Sequence, residues 1–368
     1  MRILHIVSNI SLRSGIMSVL MSYYRHIDRQ SLKFDFLFYE KREPNYENEI
    51  LKLKGRVFYS PKPTQMRKFN AFINGFCAEH SEEYDIIELH DPFLFFFYRN
   101  MKKKLKCKIF ISHAHSTRMS DSLLGELRNR LLLKFNIKRP DVLFACSAVA
   151  GVKTFGKKFA RYGIVINNAI DLKKFNNNEQ KRNRIRKELR IEGKFVVGHV
   201  GNFTEPKNHA FILEVFSRVL SEQPNSELFL IGSGDRIKAV QDRCKALDIY
   251  DKVIFAGVRN DICNILCAFD VFLFPSLYEG FGIALIEAQA VGLPCVYSDV
   301  IPKEVNVITE NNRILSLKQK YQDWVKAILD KRLEINYKTK EKIEKRGFSI
   351  ESEAVKLVEL YEKISKKV

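Results

Sequence analysis

The stretch LYEGFGIALIEAQAVGLP at residues 277–294 carries two carboxylates, Glu279 and Glu287, in a setting that could bind a ligand. Glu279 precedes a Gly-Phe-Gly turn, and Glu287 lies in the apolar run after the turn. A carboxylate accepts hydrogen bonds without donating any, so it suits hydroxyl-rich ligands such as sugars and ribose. Each glutamate alone is better explained as a charge near a helix start or as an exposed helix residue. The whole string favours a ligand site.

The flanking residues predict the elements that position these carboxylates. VFLFPS at 271–276 is typical of a buried strand, and the apolar run after the turn predicts a helix that stops at Gly292, with Pro294 beyond. Gly280 and Gly282 would let backbone N–H groups approach a ligand closely. The partial positive charge at a helix N-terminus suits a phosphate group. A strand–turn–helix unit that binds a phosphorylated, hydroxyl-rich ligand is therefore predicted.

Two further strand ends in the second half carry candidate side chains. Lys207 follows the strand-like run FVVGHVGNF and could pair with a diphosphate, although a solvated loop lysine is the alternative. Val258 and Arg259 follow the run KVIFAG and could border a nucleobase. The Gly-Ser-Gly at 232–234 lacks the third glycine of a dinucleotide fingerprint, so we interpret it as a tight turn.

In the first half, histidines stand at strand ends. His90 and Asp91 lie in ELHDP, and His113 and His115 lie in ISHAHST. Side chains at the carboxyl ends of parallel strands are candidates for ligand contact; partly buried structural histidines, and a turn aspartate before proline, are the alternatives. A His-x-His spacing also suits a metal pair, but no carboxylate or cysteine stands at motif spacing. We therefore expect no metal.

Strand-like and helical runs alternate along the chain, which predicts βαβ units and parallel sheets. The strand-like runs are RILHIVSNI, KFDFLFYE, YDIIELH, CKIFISHAH, DVLFACSA, FVVGHVGNF, ELFLIGSG, KVIFAGV, VFLFPS and PCVYSD. This alternation of strand-like and helical runs is interrupted near IVINNAIDLKKF and then resumes. We expect an α/β protein with two doubly wound domains, residues 1–170 and 171–349, and a C-terminal amphipathic helix at 350–368 that could pack back on the first domain. Ligands bind beyond the carboxyl ends of such strands, so two facing sheets would form a central cleft.

The composition and the apolar runs argue against a membrane-spanning or secreted protein. The chain has 368 residues, and 46% of them are hydrophobic, but no run approaches the roughly 18 apolar residues of a membrane-spanning helix. The N-terminus lacks a signal-peptide pattern. The seven cysteines form no CxxC pair, which predicts reduced thiols. These observations together favour a cytoplasmic protein.

The net charge of +19 is concentrated in the first half of the chain. Residues 1–175 carry 31 Lys and Arg against 16 Asp and Glu, whereas residues 176–368 carry 31 against 27. A basic half favours an anionic surface, such as phospholipid, a phosphate-bearing substrate or nucleic acid; simple solubility is the alternative. The basic runs lack interleaved aromatic residues and a reading motif, which argues against nucleic acid.

The string FPSLYEGFGIALIEAQAVGLP, with VGNFTEPKNH and FAGVRNDICNILCAFD before it, resembles the retaining GT-B glycosyltransferases that use nucleotide sugars. The resemblance is to family 4, as found in capsular and exopolysaccharide synthesis. MRILHIVSNI, HAHS and NNAIDLKKF extend it into the first half. It implies two Rossmann-like domains facing a central cleft, the first binding the acceptor and the second binding the donor.

The resemblance also implies residue roles. Glu279 would bond hydroxyls of the donor sugar, Glu287 would bond the ribose, and Lys207 would neutralise the departing diphosphate. His115 would lie near the reacting centre. The implied catalytic residues are Glu279, His115 and Lys207; the donor-binding residues are Gly15, Asn202, Lys207, Val258, Arg259, Glu279, Gly280, Phe281, Gly282, Ile283 and Glu287; and the acceptor-binding residues are His90, Asp91 and His113.

Two positions depart from the family pattern. Asn202 stands where the family usually has arginine, and Ser14 replaces one glycine of a pair that would include Gly15. Asparagine brings no charge, so the loss is that of a charged hydrogen bond, about 1–3 kcal/mol. A nucleotide-sugar-binding homologue with little or no activity, acting in assembly, therefore stays open beside an active transferase.

The implied reaction transfers a sugar from a nucleotide-diphosphate sugar, expected to be a UDP-sugar, to a saccharide or lipid-linked saccharide hydroxyl. The family retains the anomeric configuration and uses no metal or other cofactor. The basic first domain would rest on anionic membrane at the inner face of the cell. An epimerase of the same architecture would not be expected to have the EGFG helix.

Overall fold

The computed structural model describes residues 1–120, 123–134 and 140–366, and it divides into two compact units. Unit 1 comprises Met1–Ala169 and Ile350–Val368, and unit 2 comprises Ile170–Ser349. Each unit contains its own parallel β-sheet.

Unit 1 is built on a seven-stranded sheet in the order β3-β2-β1-β4-β5-β6-β7, and neighbouring strands pair in parallel. Its strands are β1 (Arg2–Asn9), β2 (Lys33–Glu40), β3 (Val57–Tyr59), β4 (Ile86–Leu89), β5 (Ile109–Ala114), β6 (Val142–Ala145) and β7 (Ile164–Val165). The helices that follow these strands are α1 (Gly15–His26), α2 (Glu47–Lys52), α3 (Met66–Glu79), α4 (Phe95–Tyr98), α5 (Met101–Leu105), α6 (Leu123–Lys134), α7 (Ala148–Phe155) and α8 (Lys157–Tyr162).

Unit 2 repeats this design with a six-stranded parallel sheet in the order β10-β9-β8-β11-β12-β13. Its strands are β8 (Phe195–Val200), β9 (Ser226–Ile231), β10 (Val253–Gly257), β11 (Val271–Phe274), β12 (Cys295–Ser298) and β13 (Asn312–Leu315). Its helices are α9 (Glu179–Glu188), α10 (His209–Glu222), α11 (Ile237–Ala246), α12 (Ile262–Ile265), α13 (Ile283–Ala290), α14 (Tyr321–Ile328) and α15 (Lys340–Lys345).

The final helix, α16 (Ile350–Ser365), belongs to unit 1 and packs against α1. Its apolar stripe includes Leu357 and Tyr361, both of which are buried. The Tyr361 hydroxyl donates a hydrogen bond to Glu88 on β4, and Glu353 accepts one from the Asn167 amide at 3.3 Å. This helix therefore contributes a polar group to the interior of unit 1 as well as apolar area.

The central strands are buried on both faces, which explains why their sequences are nearly continuous apolar runs. Helix starts are fixed by side-chain caps: the Ser14 hydroxyl accepts from the Met17 N–H at 3.3 Å, and the Ser147 hydroxyl accepts from the Ala150 N–H at 3.1 Å. These local signals place loops at the carboxyl ends of the strands, where the candidate residues lie.

The predicted α/β class with two doubly wound parallel sheets is confirmed. The strand-like runs at β1, β2, β4–β6 and β8–β12 all form strands, whereas the sequence interpretation missed β3, β7 and β13. In the three described stretches of the chain, no helix combines the length and apolar character needed to cross a bilayer.

Candidate active site

The turn before α13 has the backbone geometry that a glycine makes possible. Gly282 is the N-cap of α13, with φ +93° and ψ 54°, a left-handed conformation that non-glycine residues rarely adopt. Its carbonyl accepts from the Leu285 N–H at 3.0 Å, which closes the first turn of the helix. The predicted helix stop is also present, because Gly292 lies just beyond α13 with φ +79°. The N–H groups of Ile283 and its neighbours thus begin a helix at a strand's carboxyl end.

Glu279 on this turn forms an ion pair with Lys207, which follows β8. The two side chains are 13% and 20% exposed, so they are reachable by a ligand yet partly shielded from water. The Ser276 hydroxyl donates to Oε1 of Glu279 at 3.0 Å, and the Lys207 ammonium lies 4.7 Å from the centre of the Phe274 ring. The predicted donor-site lysine and carboxylate therefore lie together, and each holds the other in place.

Backbone contacts join the two loops that carry this pair. The Leu277 N–H donates to the Pro206 carbonyl at 2.8 Å, and the Asn208 amide donates to the Pro275 carbonyl at 3.1 Å. Asn202 lies earlier on the same β8–α10 loop, and its carbonyl accepts from the Thr204 N–H at 2.7 Å. The pairing of parallel strands β8 and β11 thus positions both loops at one edge of the sheet.

Glu287 is partly buried on α13, and removal of its carboxyl group from water raises the pKa to about 7. The helix that carries it is anchored by Gln289, which is 1% exposed. The Gln289 amide donates to the Leu285 and Val305 carbonyls, and its oxygen accepts from the Ile308 N–H at 2.9 Å. The anchored helix α13 therefore holds Glu287 in place. Hydrogen bonds donated by a ligand would stabilise the ionised form of its carboxyl group.

The remaining unit 2 candidates differ in their exposure. Phe281 is buried at 3% exposure, with its ring 5.4 Å from that of Phe348, so its side chain supports the turn. Val258 and Arg259 are exposed just after β10, and the Arg259 guanidinium makes two hydrogen bonds, of 2.8 and 2.7 Å, to Asp261. The prediction that Val258 and Arg259 border a nucleobase stays a prediction.

In unit 1, Gly15 is the first residue of α1 and is exposed, with open space around it. Asp91 follows β4, and burial raises its pKa to about 6, although a hydrogen bond from Ser8 partly opposes this shift. Both residues lie beyond carboxyl ends of neighbouring strands, β1 and β4, and their predicted contacts with substrate stay predictions.

The unit 1 histidines form a buried cluster. His90 is 1% exposed, and its two ring nitrogens lie 3.0 Å from Nδ1 of His5 and 2.7 Å from Nε2 of His115. His113 is 4% exposed, and its Nδ1 donates to Oε1 of Glu88 at 2.8 Å. His115 is the more exposed end of the cluster.

Two predicted acceptor-binding residues, His90 and His113, are interior side chains, and both nitrogens of His90 lie within hydrogen-bond distance of other imidazoles. Their contacts with an acceptor, and the place of His115 near the reacting centre, stay predictions. Burial lowers the pKa of His115 and that of His90 well below the usual value, helped by the neighbouring imidazoles.

The same cluster contains groups that could hold a cation. Ring nitrogens of His90, His113 and His115 lie within 4.8 Å of one another, as do ligand atoms of His5, Glu88 and His90. The sequence interpretation missed the carboxylate here, because Glu88 is brought to the histidines by strand pairing. In the structure, the nitrogens of His90 are engaged in hydrogen bonds to other imidazoles.

Five supporting residues were not predicted: His5, Glu88, Ser276, Gln289 and Tyr361. Two of them had a sequence signal that could have been used. His5 and Glu88 are polar residues inside otherwise apolar strand runs, which is unusual unless they are bonded to a partner. Nothing local in the sequence distinguishes Tyr361, since its partner lies on a strand far away in the chain.

Comparison with known proteins shows which family the chain is from. Residues 181–349 match the family model described as glycosyl transferases group 1. EpsF of Bacillus subtilis, a protein named as a glycosyltransferase, is 30% identical over 333 residues, covering 89% of this chain and 86% of that protein. The chain belongs to the group 1 glycosyltransferases. The Lys207–Glu279 pair and α13 both lie within the residues matched by the family model.

Two other relatives match smaller parts of this glycosyltransferase. The UDP-Gal:alpha-D-GlcNAc-diphosphoundecaprenol alpha-1,3-galactosyltransferase of Escherichia coli is 30% identical over 205 residues, covering 54% of this chain and 53% of that protein. The Vi polysaccharide biosynthesis protein VipC/TviE of Salmonella typhi is 34% identical over 100 residues, covering 27% of this chain and 17% of that protein.

Solved structures share the fold of this glycosyltransferase. HepE from Anabaena, in complex with UDP and glucose, superimposes with a TM-score of 0.81 at 17% identity, covering 99% of this chain and 100% of that one. Sucrose-phosphate synthase from Thermosynechococcus elongatus gives a TM-score of 0.78 at 16% identity, with both chains fully covered. The predicted GT-B fold is thereby confirmed.

Proposed function

We propose that this glycosyltransferase transfers a hexose or N-acetylhexosamine from a UDP-sugar to a hydroxyl of a saccharide or lipid-linked saccharide, with retention of anomeric configuration. The process would be the synthesis of a cell-surface polysaccharide, and the family would be glycosyltransferase family 4. The observation that carries this proposal is the Lys207–Glu279 ion pair on the glycine turn that begins α13, with Glu287 further along the same helix.

The ion pair suggests how the donor is held. A diphosphate would draw the Lys207 ammonium towards its own charge, which frees Glu279 to accept hydrogen bonds from the sugar hydroxyls. The N–H groups at the start of α13 would add positive potential beside the phosphates. Glu287 would accept from the ribose hydroxyls. A ligand with both a diphosphate and two sugar rings fits this set of groups, and a UDP-sugar has them all.

The UDP moiety is supported by relatives rather than by a contact in this chain. The Escherichia coli relative is named for UDP-Gal as its donor and a diphosphoundecaprenol-linked sugar as its acceptor. HepE was solved with UDP and glucose. We extend both features to this protein as the donor class and the acceptor class.

In the proposed mechanism the protein supplies positioning and charge. Lys207 and the α13 N-terminus stabilise the negative charge that develops on the departing diphosphate, and no metal is used. Because the Ser276 hydroxyl still holds Glu279 once Lys207 has turned to the diphosphate, we assign Glu279 to the sugar hydroxyls and not to nucleophilic attack. The acceptor hydroxyl would attack the same face that the diphosphate leaves, with a phosphate oxygen taking the proton.

A membrane-bound acceptor is supported by the surface of α6. Leu124, Leu127 and Leu131 are 83%, 59% and 50% exposed and lie along one face of this helix. The same helix carries Arg128 and Lys134. Exposed leucines beside basic side chains suit the surface of an anionic bilayer. We propose that unit 1 makes a peripheral contact with the cytoplasmic face of the cell membrane.

The direct experiment is a transfer assay with purified protein, UDP-sugars and a lipid-linked saccharide in anionic vesicles. The proposal predicts a new glycoside whose anomeric configuration, read by NMR, matches that of the donor. It also predicts that UDP-sugars, and not GDP-sugars, raise the melting temperature. An inverted product would contradict the retaining mechanism, and stabilisation by GDP-sugars alone would contradict the UDP donor.

A second candidate function, a nucleotide-sugar-binding homologue with weak activity, is favoured by one observation. Asn202 brings no charge to the β8–α10 loop, where the resembling family usually has arginine. If weak diphosphate stabilisation limits the enzyme, Asn202→Arg should raise kcat by roughly 10-fold or more. An unchanged kcat in an otherwise active enzyme would remove this alternative.

A further inference from the structure

Three imidazoles in unit 1 form a continuous hydrogen-bonded chain. His5 Nδ1 lies 3.0 Å from His90 Nε2, and His90 Nδ1 lies 2.7 Å from His115 Nε2. His5 and His90 are 0% and 1% exposed, whereas His115 is partly exposed. These hydrogen bonds therefore connect the fully buried ring of His5, through His90, to the partly exposed ring of His115.

The chemistry of imidazole couples the three rings. A neutral imidazole carries one N–H donor and one acceptor nitrogen. Since each bond in the chain needs a donor at one end and an acceptor at the other, the three rings must all point the same way. Either Nδ1 carries the proton in all three rings, or Nε2 does. The nitrogen of His5 that carries the proton thus determines whether Nδ1 of His115 donates or accepts a hydrogen bond.

The surroundings of His5, the buried end of the series, favour one direction of these hydrogen bonds. Nε2 of His5 has no hydrogen-bond partner among the described residues, and the ring lies against Phe34 and Phe36. A buried N–H without an acceptor is rarer in proteins than an under-used acceptor atom, so Nε2 of His5 should be the unprotonated nitrogen. His5 would then donate to His90, and His90 would donate to His115.

We propose that His5 and His90 are positioning residues that hold His115 as the Nδ1–H tautomer, so that this N–H donates to an oxygen atom of the substrate. The inference rests on the proposed function only in naming a sugar-bearing substrate, whose oxygen atoms can accept from this N–H.

Glu88 favours the opposite direction of the hydrogen bonds between these histidines. Its carboxylate accepts from Nδ1 of His113 and from the Tyr361 hydroxyl. Its oxygens also lie 3.7 Å from Nε2 of His90 and 4.0 Å from Nδ1 of His5. If His5 no longer donates to His90, the nearest carboxylate oxygen favours a proton on Nε2 of His90. His90 then accepts through Nδ1, and His115 must turn over to the Nε2–H tautomer.

Neutral rings are essential to this argument, and burial favours them. Desolvation lowers the pKa of His115 and His90 well below the usual value and that of His5 to about 4. The titratable groups facing the chain are Glu88 on β4, His113 on β5 and Tyr361 on α16. Near neutral pH, the variable at His115 is therefore which nitrogen carries the proton.

The test measures the tautomers directly, in full-length protein with 15N-labelled histidine. Long-range 1H–15N spectra report which ring nitrogen is protonated, and single substitutions assign the signals. We expect wild-type His115 to stay neutral between pH 6 and 8 with its proton on Nδ1, although free histidine prefers Nε2. In His5→Phe, which suits a ring already packed against phenylalanines, we expect the His115 proton on Nε2.

His80→Phe is the matched control. His80 is 8% exposed, in unit 1, and its ring lies 5.0 and 4.6 Å from those of Phe58 and Phe76. This variant should leave the His115 signals unchanged. An Nε2–H tautomer of His115 in the wild type, or a tautomer indifferent to His5→Phe, would overturn the proposal. So would a metal ion bound stoichiometrically by the histidines, which elemental analysis of the purified protein would detect.

Transfer kinetics then test the contact that His115 makes. Loss of one neutral hydrogen bond should lower kcat/KM of transfer by roughly fivefold to tenfold in His5→Phe and leave His80→Phe unchanged. An unchanged kcat/KM in His5→Phe would overturn the proposed contact. If the wild type transfers no sugar, the proposed function fails, while the tautomer measurement still decides the proposal for the histidines.

Discussion

The two units have similar sheets but carry different polar groups at the carboxyl ends of their strands. At the carboxyl edge of the unit 2 sheet, opposite charges face each other: the Lys207–Glu279 pair sits on the turn before α13 and is partly open to solvent. At the same edge of the unit 1 sheet, neutral imidazoles are bonded to one another and largely buried. The first arrangement suits an anionic ligand that replaces a protein charge, and the second suits the orientation of a single uncharged donor.

The contrast also shows how each unit avoids an unpaired buried charge. Glu279 is compensated by a lysine in direct contact, whereas Glu88 is compensated by two neutral donors, His113 and Tyr361. Removing one partner in unit 2 should therefore leave a charge exposed to ligand and water. Removing a partner in unit 1 should instead rearrange the hydrogen bonds of the cluster.

The largest expected effect comes from Lys207→Ala, which removes the charge that we assign to the diphosphate. We expect kcat of transfer to fall by roughly 10²–10³-fold, in the range found for loss of one stabilising donor at a developing charge. Lys194→Ala is the matched control, because this lysine also pairs with a glutamate in unit 2, at 3.3 Å from Glu227. Steady-state kinetics on both variants check the prediction, and an equal loss in both would contradict the assignment.

Gly282→Ala should have the next largest effect. Forcing alanine to φ +93° should destabilise the fold by about 1–2 kcal/mol or displace the N–H groups that begin α13. Gly193→Ala imposes a similar strain at φ +70° in a loop with open space around it. Chemical denaturation should show similar losses for both variants, while calorimetry should show weakened donor binding for Gly282→Ala only. Unaltered donor affinity in a folded Gly282→Ala protein would argue against the turn as the binding site.

A pH dependence is expected from Glu287, whose pKa is raised to about 7 by burial. Ribose hydroxyls bind the ionised form best, so affinity for UDP should fall as pH drops below about 7, approaching tenfold per pH unit. Calorimetry from pH 5.5 to 8.5 measures this slope. In Glu287→Gln the slope should be absent, with weak affinity throughout, and a slope kept in that variant would assign the titration to another group.

The same raised pKa has the opposite consequence for stability. The folded protein holds the Glu287 proton more tightly than the unfolded chain, so this residue lowers the free energy of unfolding progressively as pH rises from about 4.5 to above 7. Above pH 7, Glu287→Gln should therefore raise the free energy of unfolding by about 1–3 kcal/mol in the absence of ligand. A destabilised Glu287→Gln protein at pH 8 would contradict this explanation.

The smallest effect concerns the membrane contact proposed for unit 1. Leu127→Glu on α6 should lower co-sedimentation with anionic vesicles severalfold, because it removes apolar area and adds a like charge to the interface. Leu51→Glu is the control, since Leu51 is 53% exposed on another helix of unit 1, close to the 59% of Leu127. If both variants sediment as wild type does, α6 is not the contact surface.

The unit 2 candidates could be predicted from sequence because a single strand–turn–helix string carries most of them. Glu279, Gly282 and Glu287 lie within nine residues, and the glycine and the helix stop mark their positions locally. Central strands were equally visible, since burial on both faces leaves nearly unbroken apolar runs. The direct Lys207–Glu279 pair was not predicted, because it depends on how two loops meet after β8 and β11.

The unit 1 cluster could not be predicted, because its members come from segments far apart in the chain. His5 and Glu88 face each other only through the register of β1 with β4, and Tyr361 arrives on the last helix. The missed strands β3, β7 and β13 are all edge strands, with two to four residues each. Such short edge strands bury few residues, so their sequences carry too brief an apolar pattern to be recognised, whereas the five-residue edge strand β10 was predicted.

The most direct test of the central claim compares UDP with UDP-glucose by calorimetric titration of Glu279→Ala and Glu287→Ala. If the α13 segment holds the donor as proposed, Glu287→Ala weakens both ligands because both contain ribose, whereas Glu279→Ala weakens UDP-glucose more than UDP. Affinities that match the wild type in both variants would contradict the assignment of these carboxylates to the donor site.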